Sequence, residues 1–514
     1  MTRRATAIWL GGILLAALAL RLWNLDHGLP FAYNADEAEH FVPRALDMAT
    51  GGSLDPGYYE NPPALTYLFA LVYWIGGTAD AFLTARVVVA LIGTLVVALT
   101  FFAGQRAYGP RAGLVAAALM AVAFLPVFYS KHALNDVVTL APVTLGLIGS
   151  LLVYQRGSWA DYLLAGAAIG TATSVKYTAG AMLLTLAVAA GLRILRDRSE
   201  LRKVLLGCVV AGAGFVALFV ILNPYALLNL HEARRQIRGQ SGQAAAGKLG
   251  QDDMLGWVYY VGTLGWGLGW LPLAAAAGGA VVAIRRDWRL ALLLLAFPVF
   301  LYLFMGSQGR YFGRWLLPAY PVLCILAGYG AVALATALKR PALLSAVFGA
   351  LLCAQGLLAS VHVDRVLGRE DTRAEALGWL RDNVPEGGRI VVEPFVPADW
   401  AGEFDKWPVE RPFQAYEKRL RVRDIDAYRE GGYCYVVVGS TQKERGLKAG
   451  LRSSERYYPA LDDASEETVT FSPFAEGADP VEFSYDFSFN YAPRAYERPG
   501  PVVEIHRLAD CDPG

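Results

Sequence analysis

The sequence predicts a multi-pass α-helical membrane protein that carries a small α/β domain at its C-terminal end. Hydrophobic residues make up 55% of the 514 positions and charged residues only 18%, below the roughly 25% typical of soluble domains. Long apolar stretches recur before His362, and several reach the roughly 20 residues that cross a bilayer. From His362 onward the chain turns polar. We therefore predict a membrane domain over 1–361 and an extracytoplasmic domain over 362–514.

The first apolar run is predicted to be a retained membrane helix, although a signal peptide is the alternative. Arg3 and Arg4 precede the run, which continues into Arg21 and Trp23 without a clear small-residue cleavage site. Further apolar spans lie near residues 80–104, 112–130, 134–154, 160–175, 177–195, 203–223, 255–284, 289–306, 313–337 and 341–361.

The basic loops determine the predicted orientation, because cytoplasmic loops carry an excess of Lys and Arg. All of them fall on the cytoplasmic side, with the N-terminus, if the short apolar segment 62–77 lies in the interface instead of crossing. Their residues are Arg106, Arg111, Arg156, Arg193, Arg196, Arg198, Arg202, Lys203, Arg285, Arg286, Arg289, Lys339 and Arg340. We predict about eleven crossings, with two interfacial helices, near 36–50 and 63–76, in the first external loop, 24–79.

The polar end of the chain has the patterns of a mixed domain. Residues 371–395 indicate an amphipathic helix, a turn with Pro and Gly, and a strand. The segments GGYCYVVVGS and PGPVVEIHRL indicate further strands, and no nucleotide-binding glycine fingerprint is present. Cys434 and Cys511 lie in this domain and could pair or stay free. The net charge of +1 gives no indication of nucleic acid as a partner.

The first external loop holds the acidic segment NADEAEH, which we expect to contain the reaction centre. Within five positions lie Asp36, Glu37, Glu39 and His40. If an α-helix begins at Asp36, then Asp36, Glu39 and His40 lie on one face of that helix. Ionisable groups at membrane level are costly and often functional, so Asp36 and Glu37 are candidate catalytic carboxylates. The alternative is a solvated surface helix capped by Asn34.

Charged residues of other external loops converge with this segment in the predicted topology. Asp136, in KHALND, is a third candidate catalytic carboxylate, or only a helix cap, although Asn135 is the expected cap. Lys176, in SVKYTAG, is a candidate phosphate-binding cation, or only a side chain that snorkels to the interface. Lys131 belongs to the same convergent group.

Arg310 and Arg314, in GRYFGRWLLPAYP, are four positions apart and are expected to share a helix face. Guanidinium groups grip phosphate through paired hydrogen bonds, so both are candidate donor-binding residues. The alternative is that they anchor the chain in the interface beside neighbouring aromatic residues.

The remaining candidates have more ordinary alternatives. Glu60 and Asn61 precede a Pro-Pro pair and could serve only to start the second interfacial helix. Arg86 could be a structural anchor. His40 and His132 could bind a divalent metal with the acids, but no ligand spacing supports a site, and no other cofactor is expected.

Several short motifs, taken in their order along the chain, resemble those of GT-C glycosyltransferases. They are the N-terminal helix, the DE pair, the Pro-Pro helix, ARVVVAL at a span opening, the ND before a span, and RYFGRWLLPAYP. The resemblance covers roughly residues 1–340 and points to the branch that contains the protein O-mannosyltransferases and the lipid A aminoarabinose transferase. It implies a sugar donor on a polyprenyl phosphate and Asp36 as the base or the group that orients the acceptor.

One position departs from the aminoarabinose transferases. They carry a Lys before the Pro-Pro pair that contacts the lipid phosphate, whereas this chain has Asn61. Lys176 or Arg310 would then have to supply the positive charge.

The expected function is transfer of a sugar to a hydroxyl acceptor on the external face of the plasma membrane, with a protein, lipid or glycan as acceptor. The alternative is a transporter or flippase, which should show internal repeats and charges near the midplane. No clear repeat is visible, and the candidate charges lie at span ends. A non-catalytic envelope scaffold is a third hypothesis.

The topology can be tested by cysteine accessibility. Because the densest basic loop should be cytoplasmic and the polar domain external, a membrane-impermeant thiol reagent on intact cells should label Ser453→Cys and not Ser199→Cys. The unsubstituted protein controls for its own cysteines. Equal labelling of both variants would contradict the predicted orientation.

Overall fold

The protein divides into two compact units. The computed structural model describes residues 2–394, 409–410 and 419–511. The first unit comprises Met1–Leu25, Asn34–Ala246 and Met254–Val361, and the second comprises Asp26–Tyr33, Gly247–Asp253 and His362–Gly514. The longest segment of the second unit begins at His362, while the domain boundary expected from the sequence stays a prediction. Two short segments, 26–33 and 247–253, nevertheless belong to the second unit.

The first unit is a bundle of helices. Its α-helices are α1 (Arg3–Leu22), α2 (Val42–Ala49), α3 (Ala64–Gly76), α4 (Ala81–Tyr108), α5 (Pro110–Val122), α6 (Phe124–Tyr129), α7 (Asn135–Val138), α8 (Leu140–Gln155), α9 (Trp159–Val175), α10 (Leu183–Arg196), α11 (Leu201–Leu222), α12 (Pro224–Leu228), α13 (Leu230–Ala245), α14 (Gly256–Gly267), α15 (Trp270–Gly306), α16 (Tyr320–Ala337) and α17 (Pro341–Leu367). A π-helical turn covers Glu37–Phe41, and 3₁₀ turns cover Tyr177–Met182, Arg198–Glu200 and Gly313–Ala319.

Within the described residues, eight helical segments are long and apolar enough to span a membrane. The multi-pass helical prediction is therefore confirmed, while the number of eleven crossings stays a prediction. The 13 residues of α3 extend roughly 20 Å, less than the roughly 30 Å of a hydrocarbon core. That length agrees with the expected interfacial helix.

The prediction of a single helix over 255–284 is wrong. The structure ends α14 at Gly267 and begins α15 at Trp270. Gly269 has a φ of 118°, in the left-handed region that favours glycine. The backbone therefore turns between two helices, although the hydropathy runs on without a break. A second kink lies inside α15, where Asp287 has non-helical backbone angles.

Small residues allow the close approach of α9 and α11. A Cβ atom on Gly166 would overlap the carbonyl oxygen of Ala211, and one on Gly170 would overlap that of Phe215. Such contacts let helix backbones pack without a side chain between them. They hold α9, whose last residue, Val175, precedes the candidate cation Lys176.

The second unit contains a five-stranded mixed sheet. Its strands are β1 (Arg389–Val392), β2 (Val409–Glu410), β3 (Tyr433–Gly439), β4 (Ser465–Phe471) and β5 (Val503–Leu508), in the order β2-β1-β3-β5-β4. The first three strands in that order pair in parallel, and β5 runs antiparallel to both β3 and β4. The described helices are α18 (Thr372–Asn383), α19 (Arg423–Glu430), α20 (Ser440–Lys448), α21 (Arg452–Asp463) and α22 (Phe487–Asn490).

The apolar strands were predictable, and the polar ones were not. The run YCYVVVG is buried along β3 except at its first residue, as expected for the central strand of a sheet that is covered on both faces. By contrast, β4 reads SEETVTF and is half exposed, so its composition resembles a loop. Cys434 and Cys511 form a disulfide, which joins β3 to the residues after β5 and resolves the pairing that the sequence left open.

Candidate active site

The acidic segment of the first loop begins with a side-chain cap. The Asn34 Oδ1 atom accepts hydrogen bonds from the backbone N–H groups of Asp36 at 3.1 Å and Glu37 at 3.4 Å. Asn34 thus caps this segment, as the surface-helix alternative assumed, but the segment is not a solvated helix, because Glu37 is buried. The residues that follow are π-helical, so the α-helical spacing from which a shared face of Asp36, Glu39 and His40 was expected does not apply.

Glu37 is enclosed rather than open to substrate. Its side chain is 0% exposed, and the Arg86 guanidinium donates to both carboxylate oxygens at 2.7 and 3.0 Å. The N–H of Ala133 donates a third hydrogen bond at 3.1 Å. Burial by itself raises the pKa of Glu37, but the charge and hydrogen bonds of Arg86 outweigh it and hold the pKa below its usual value. Glu37 thus ties the first loop to α4 and to the loop before α7.

Asp36 turns the other way and joins a chain of alternating charges. Its Oδ2 atom lies 2.8 Å from Nη2 of Arg314. The Nε atom of Arg314 lies 3.9 Å from Oδ2 of Asp136, and Oδ1 of Asp136 lies 2.6 Å from Nζ of Lys176. Four residues from distant parts of the sequence therefore form one cluster, which we call the Asp36–Lys176 cluster.

The members of the Asp36–Lys176 cluster differ in their access to solvent. The side chain of Asp136 is 3% exposed, whereas that of Asp36 is 37% exposed. Lys176 is only 12% exposed and ends on a carboxylate, which disfavours the alternative that it snorkels to the interface. Asp36 is the carboxylate of the cluster that an incoming molecule can reach most easily.

A hydrogen-bonded pair of amides lies next to the cluster. The Nδ2 atom of Asn135 donates to Oδ1 of Asn61 at 3.0 Å and to the carbonyl of Val175 at 3.1 Å, and Asn61 donates to the hydroxyl of Tyr58 at 2.8 Å. The expectation that Asn135 caps its helix is wrong, because α7 includes Asn135 and begins after Leu134. Tertiary acceptors engage its side chain instead, and Asp136 still faces the cluster.

Arg310 and Arg314 do not share a helix face, which corrects the expectation from their spacing. The 3₁₀ turn begins only at Gly313, after extended residues. The Arg310 guanidinium lies 3.4 Å from Gln243, and its backbone N–H donates to Ala244 at 2.7 Å. Of the two arginines, Arg314 is the one that the structure brings to Asp36.

Two further candidates flank Tyr58, a residue that sequence reasoning did not select. The His40 ring stacks on the Tyr58 ring with centroids 4.5 Å apart. Burial raises the pKa of Tyr58, and the charges of Asp36 and Glu60 raise it further, which places both carboxylates around this phenol. The repeated aromatic residues in YYENPP were the available signal for Tyr58.

His132 is buried among aromatic rings, and its Nδ1 atom lies 3.2 Å from the carbonyl of Phe128. Burial lowers the pKa of His132 to about 4 despite the opposing charge of Glu37, so the ring is neutral near pH 7. Among the residues that the structure describes, no three His, Cys, Asp or Glu side chains form a group able to hold a metal ion.

Lys131 serves the scaffold. Its Nζ atom donates to the carbonyls of Leu20 at 2.6 Å and Trp23 at 2.5 Å, at the end of α1. The structure therefore separates Lys131 from the Asp36–Lys176 cluster, although the topology had grouped them.

Comparison with known sequences agrees with the motifs. Residues 60–224 match the sequence model of the dolichyl-phosphate-mannose-protein mannosyltransferase family. The lipid A galacturonosyltransferase RgtD of Rhizobium johnstonii is 25% identical over 328 residues, which are 61% of this chain and 64% of that protein. The chain thus matches slightly less than two thirds of the length of this relative.

Comparison with solved structures identifies the fold. ArnT from Cupriavidus metallidurans, bound to undecaprenyl phosphate, superposes with a TM-score of 0.57 at 16% identity, over 100% of both chains. The oligosaccharyltransferase of Archaeoglobus fulgidus gives a TM-score of 0.55 at 13% identity, over 90% of this chain and 72% of that one. The fold is that of the GT-C membrane glycosyltransferases. With the sequence matches, it confirms the expected resemblance.

The enclosed ion pair can be tested through stability. Glu37→Ala removes the carboxylate that neutralises the buried Arg86 charge, so the free energy of unfolding should fall by about 3–5 kcal/mol. Thermal unfolding of the purified protein in detergent measures this loss. The control is Glu39→Ala, which removes an exposed carboxylate two positions away and should change stability by at most about 0.5 kcal/mol. Equal unfolding midpoints for both variants would contradict the assignment.

Proposed function

We propose that the protein transfers a sugar from a polyprenyl phosphate to a hydroxyl acceptor at the Asp36–Lys176 cluster. The observation that carries the proposal is the alternation of two carboxylates with two cations, of which Asp36 is the most open. Sugar transfer needs both kinds of group, because a proton leaves the acceptor while negative charge develops on the departing phosphate.

Asp36 is the proposed base. During the step the acceptor hydroxyl attacks the anomeric carbon, the bond from that carbon to the phosphate oxygen breaks, and the hydroxyl proton passes to Asp36. An Arg314 side chain that turns toward the donor phosphate would release Asp36 for this proton.

Arg314 and Lys176 are the proposed phosphate ligands. Both are side-chain cations that end on carboxylates of the cluster, and charge placed where a leaving group becomes negative lowers the barrier. Asn61 occupies the position before the Pro-Pro pair and already bonds Asn135 and Tyr58. Since Asn61 carries no charge, Arg314 and Lys176 are the proposed source of the positive charge.

Glu37 and Asp136 are proposed to position the site. The enclosure of Glu37 by Arg86 leaves no open carboxylate oxygen for an acceptor, which revises its place among the candidate catalytic groups. Asp136 lies between the two cations, 2.6 Å from Nζ of Lys176 and 3.9 Å from Nε of Arg314.

The proposed reaction takes place on the external face of the plasma membrane. The disulfide between Cys434 and Cys511 supports this orientation, because such bonds persist in oxidising compartments outside the cytoplasm. The asymmetry of Lys and Arg supports it independently.

Asp36→Asn tests the reaction. The amide retains the shape of the side chain but removes the charge and the basicity, so kcat should fall by about 100- to 10,000-fold. Turnover is measured with radiolabelled mannose, galacturonate and aminoarabinose on polyprenyl phosphate, against protein, lipid and glycan acceptors. Binding of undecaprenyl phosphate to the same variant should stay nearly unchanged.

Glu37→Gln and Asp136→Asn are the matched controls for that experiment. Each removes one carboxylate charge near Asp36, and each should cost less turnover than Asp36→Asn. An Asp36→Asn protein with near-full turnover, beside an inactive Asp136→Asn or Glu37→Gln protein, would move the base to one of those residues.

Lys176→Gln and Arg314→Gln test the phosphate site. A hydrogen bond to a charged group is worth about 1.5–3 kcal/mol, so each variant should bind undecaprenyl phosphate about 10- to 100-fold more weakly. Arg310→Gln, the same replacement four positions away, should have a smaller effect because that side chain turns toward Gln243. Unchanged affinity in the Lys176→Gln, Arg314→Gln and double variants would remove both residues from the donor site.

A further inference from the structure

The segment that leads into the acidic loop is anchored in the second unit. Residues 26–33 belong to that unit, whereas Asn34 and Asp36 belong to the first. Phe31 packs against the apolar cluster that includes Leu377 of α18 and Ile505 of β5. Residues 26–33 are therefore held by contacts within the second unit, and Asp36 follows three residues after this segment.

The last anchored residue, Tyr33, lies against a fixed arginine. The Cζ atom of Arg373 is 3.7 Å from the centroid of the Tyr33 ring. Asp371 holds the guanidinium through two hydrogen bonds, of 2.8 Å to Nε and 2.7 Å to Nη2. Arg373 is buried, and a cation over an aromatic face is attracted more strongly when water is excluded.

Only a short length of chain separates this contact from Asp36. The three residues from Tyr33 to Asp36 span at most about 11 Å, and the next residue, Asn34, caps the turn that carries Asp36. A change in the backbone at Tyr33 thus passes directly to the capping residue.

We propose that the Tyr33–Arg373 contact positions Asp36 for transfer, so that the C-terminal domain takes part in setting the catalytic geometry. Arg373 acts through Tyr33 and Asn34, along the covalent chain, and does not itself touch substrate. The inference rests on the proposed role of Asp36. Displacement of a catalytic group by about 1 Å costs up to about 100-fold in rate. Loss of the Tyr33–Arg373 contact is therefore expected to lower turnover strongly, although the contact itself is small.

A second loop segment is held in the same unit by similar contacts. The Tyr485 hydroxyl donates to the carbonyl of Leu249 at 2.5 Å, Lys248 lies 4.1 Å from the Tyr485 ring centroid, and Lys448 pairs with Asp252. Two segments that lie between helices of the first unit, 26–33 and 247–253, therefore pack within the second unit.

The test compares Tyr33→Leu with Tyr33→Phe in the full-length protein. Tyr33→Leu removes the aromatic face, so kcat should fall about 10- to 100-fold while the affinity for undecaprenyl phosphate stays unchanged. Tyr33→Phe keeps the face and should stay within about twofold of the wild-type kcat. Arg373→Lys, which loses the paired hydrogen bonds to Asp371, should be intermediate.

Two controls separate positioning from general damage. Arg389 lies 5.5 Å from the Tyr433 ring centroid in the same unit, so Tyr433→Leu removes a comparable contact that is not next to the acidic loop and should leave kcat unchanged. In an Asp36→Asn background, Tyr33→Leu should cause no further loss, because its effect passes through Asp36.

Hydrogen exchange gives a readout that does not depend on turnover. The amides of Asp36 and Glu37, which donate to Asn34, should exchange at least about tenfold faster in Tyr33→Leu and at the wild-type rate in Tyr33→Phe. Wild-type exchange in Tyr33→Leu, an additive loss in the Asp36→Asn background, or an equal loss in Tyr433→Leu would overturn the inference. Full turnover of Asp36→Asn would overturn the proposed base instead.

Discussion

The buried ion pair between Glu37 and Arg86 is the interaction on which the arrangement of the site depends. It joins the first turn of the acidic loop to α4, and the third hydrogen bond, from Ala133, adds the loop before α7. An unpaired charge in such an environment is strongly unfavourable, so the loop is stable only where both carboxylate oxygens meet the guanidinium. Asp36 precedes Glu37 in the chain, and its position follows from that constraint.

Other buried charges obey the same rule with backbone partners. Arg21 donates to the carbonyls of Met120 and Ala121 at the end of α5, and Lys131 donates to carbonyls at the end of α1. The last carbonyls of a helix lack intrahelical partners and carry partial negative charge. These fully buried cations thus join helix ends, whereas Asp36, Arg314 and Lys176 of the Asp36–Lys176 cluster are partly exposed.

The sequence was sufficient to select the four residues that the structure brings together in the Asp36–Lys176 cluster. Asp36, Asp136, Lys176 and Arg314 all lie at the ends of apolar stretches, and a topology that puts those ends on one side of the bundle brings them together. The same reasoning also grouped Lys131 and Arg310 with them, because topology limits which ends meet but carries no information about the direction of a side chain. Asn135 illustrates this limit. Its residue type favours a helix cap, but its side chain instead donates to Asn61 and to the carbonyl of Val175.

Hydropathy and composition by themselves determined the membrane class, the bundle of helices and the mixed α/β character of the C-terminal part. These properties depend on local composition, because the length and apolarity of a segment decide whether it can cross a bilayer. Only the tertiary structure decided that the backbone turns at Gly269, that Glu37 is enclosed while Asp36 is open, that Arg314 and not Arg310 reaches the cluster, and that residues 26–33 pack with the C-terminal domain. Each of these depends on which groups meet across long separations in the chain, and burial then selects the contacts that leave no charge unpaired.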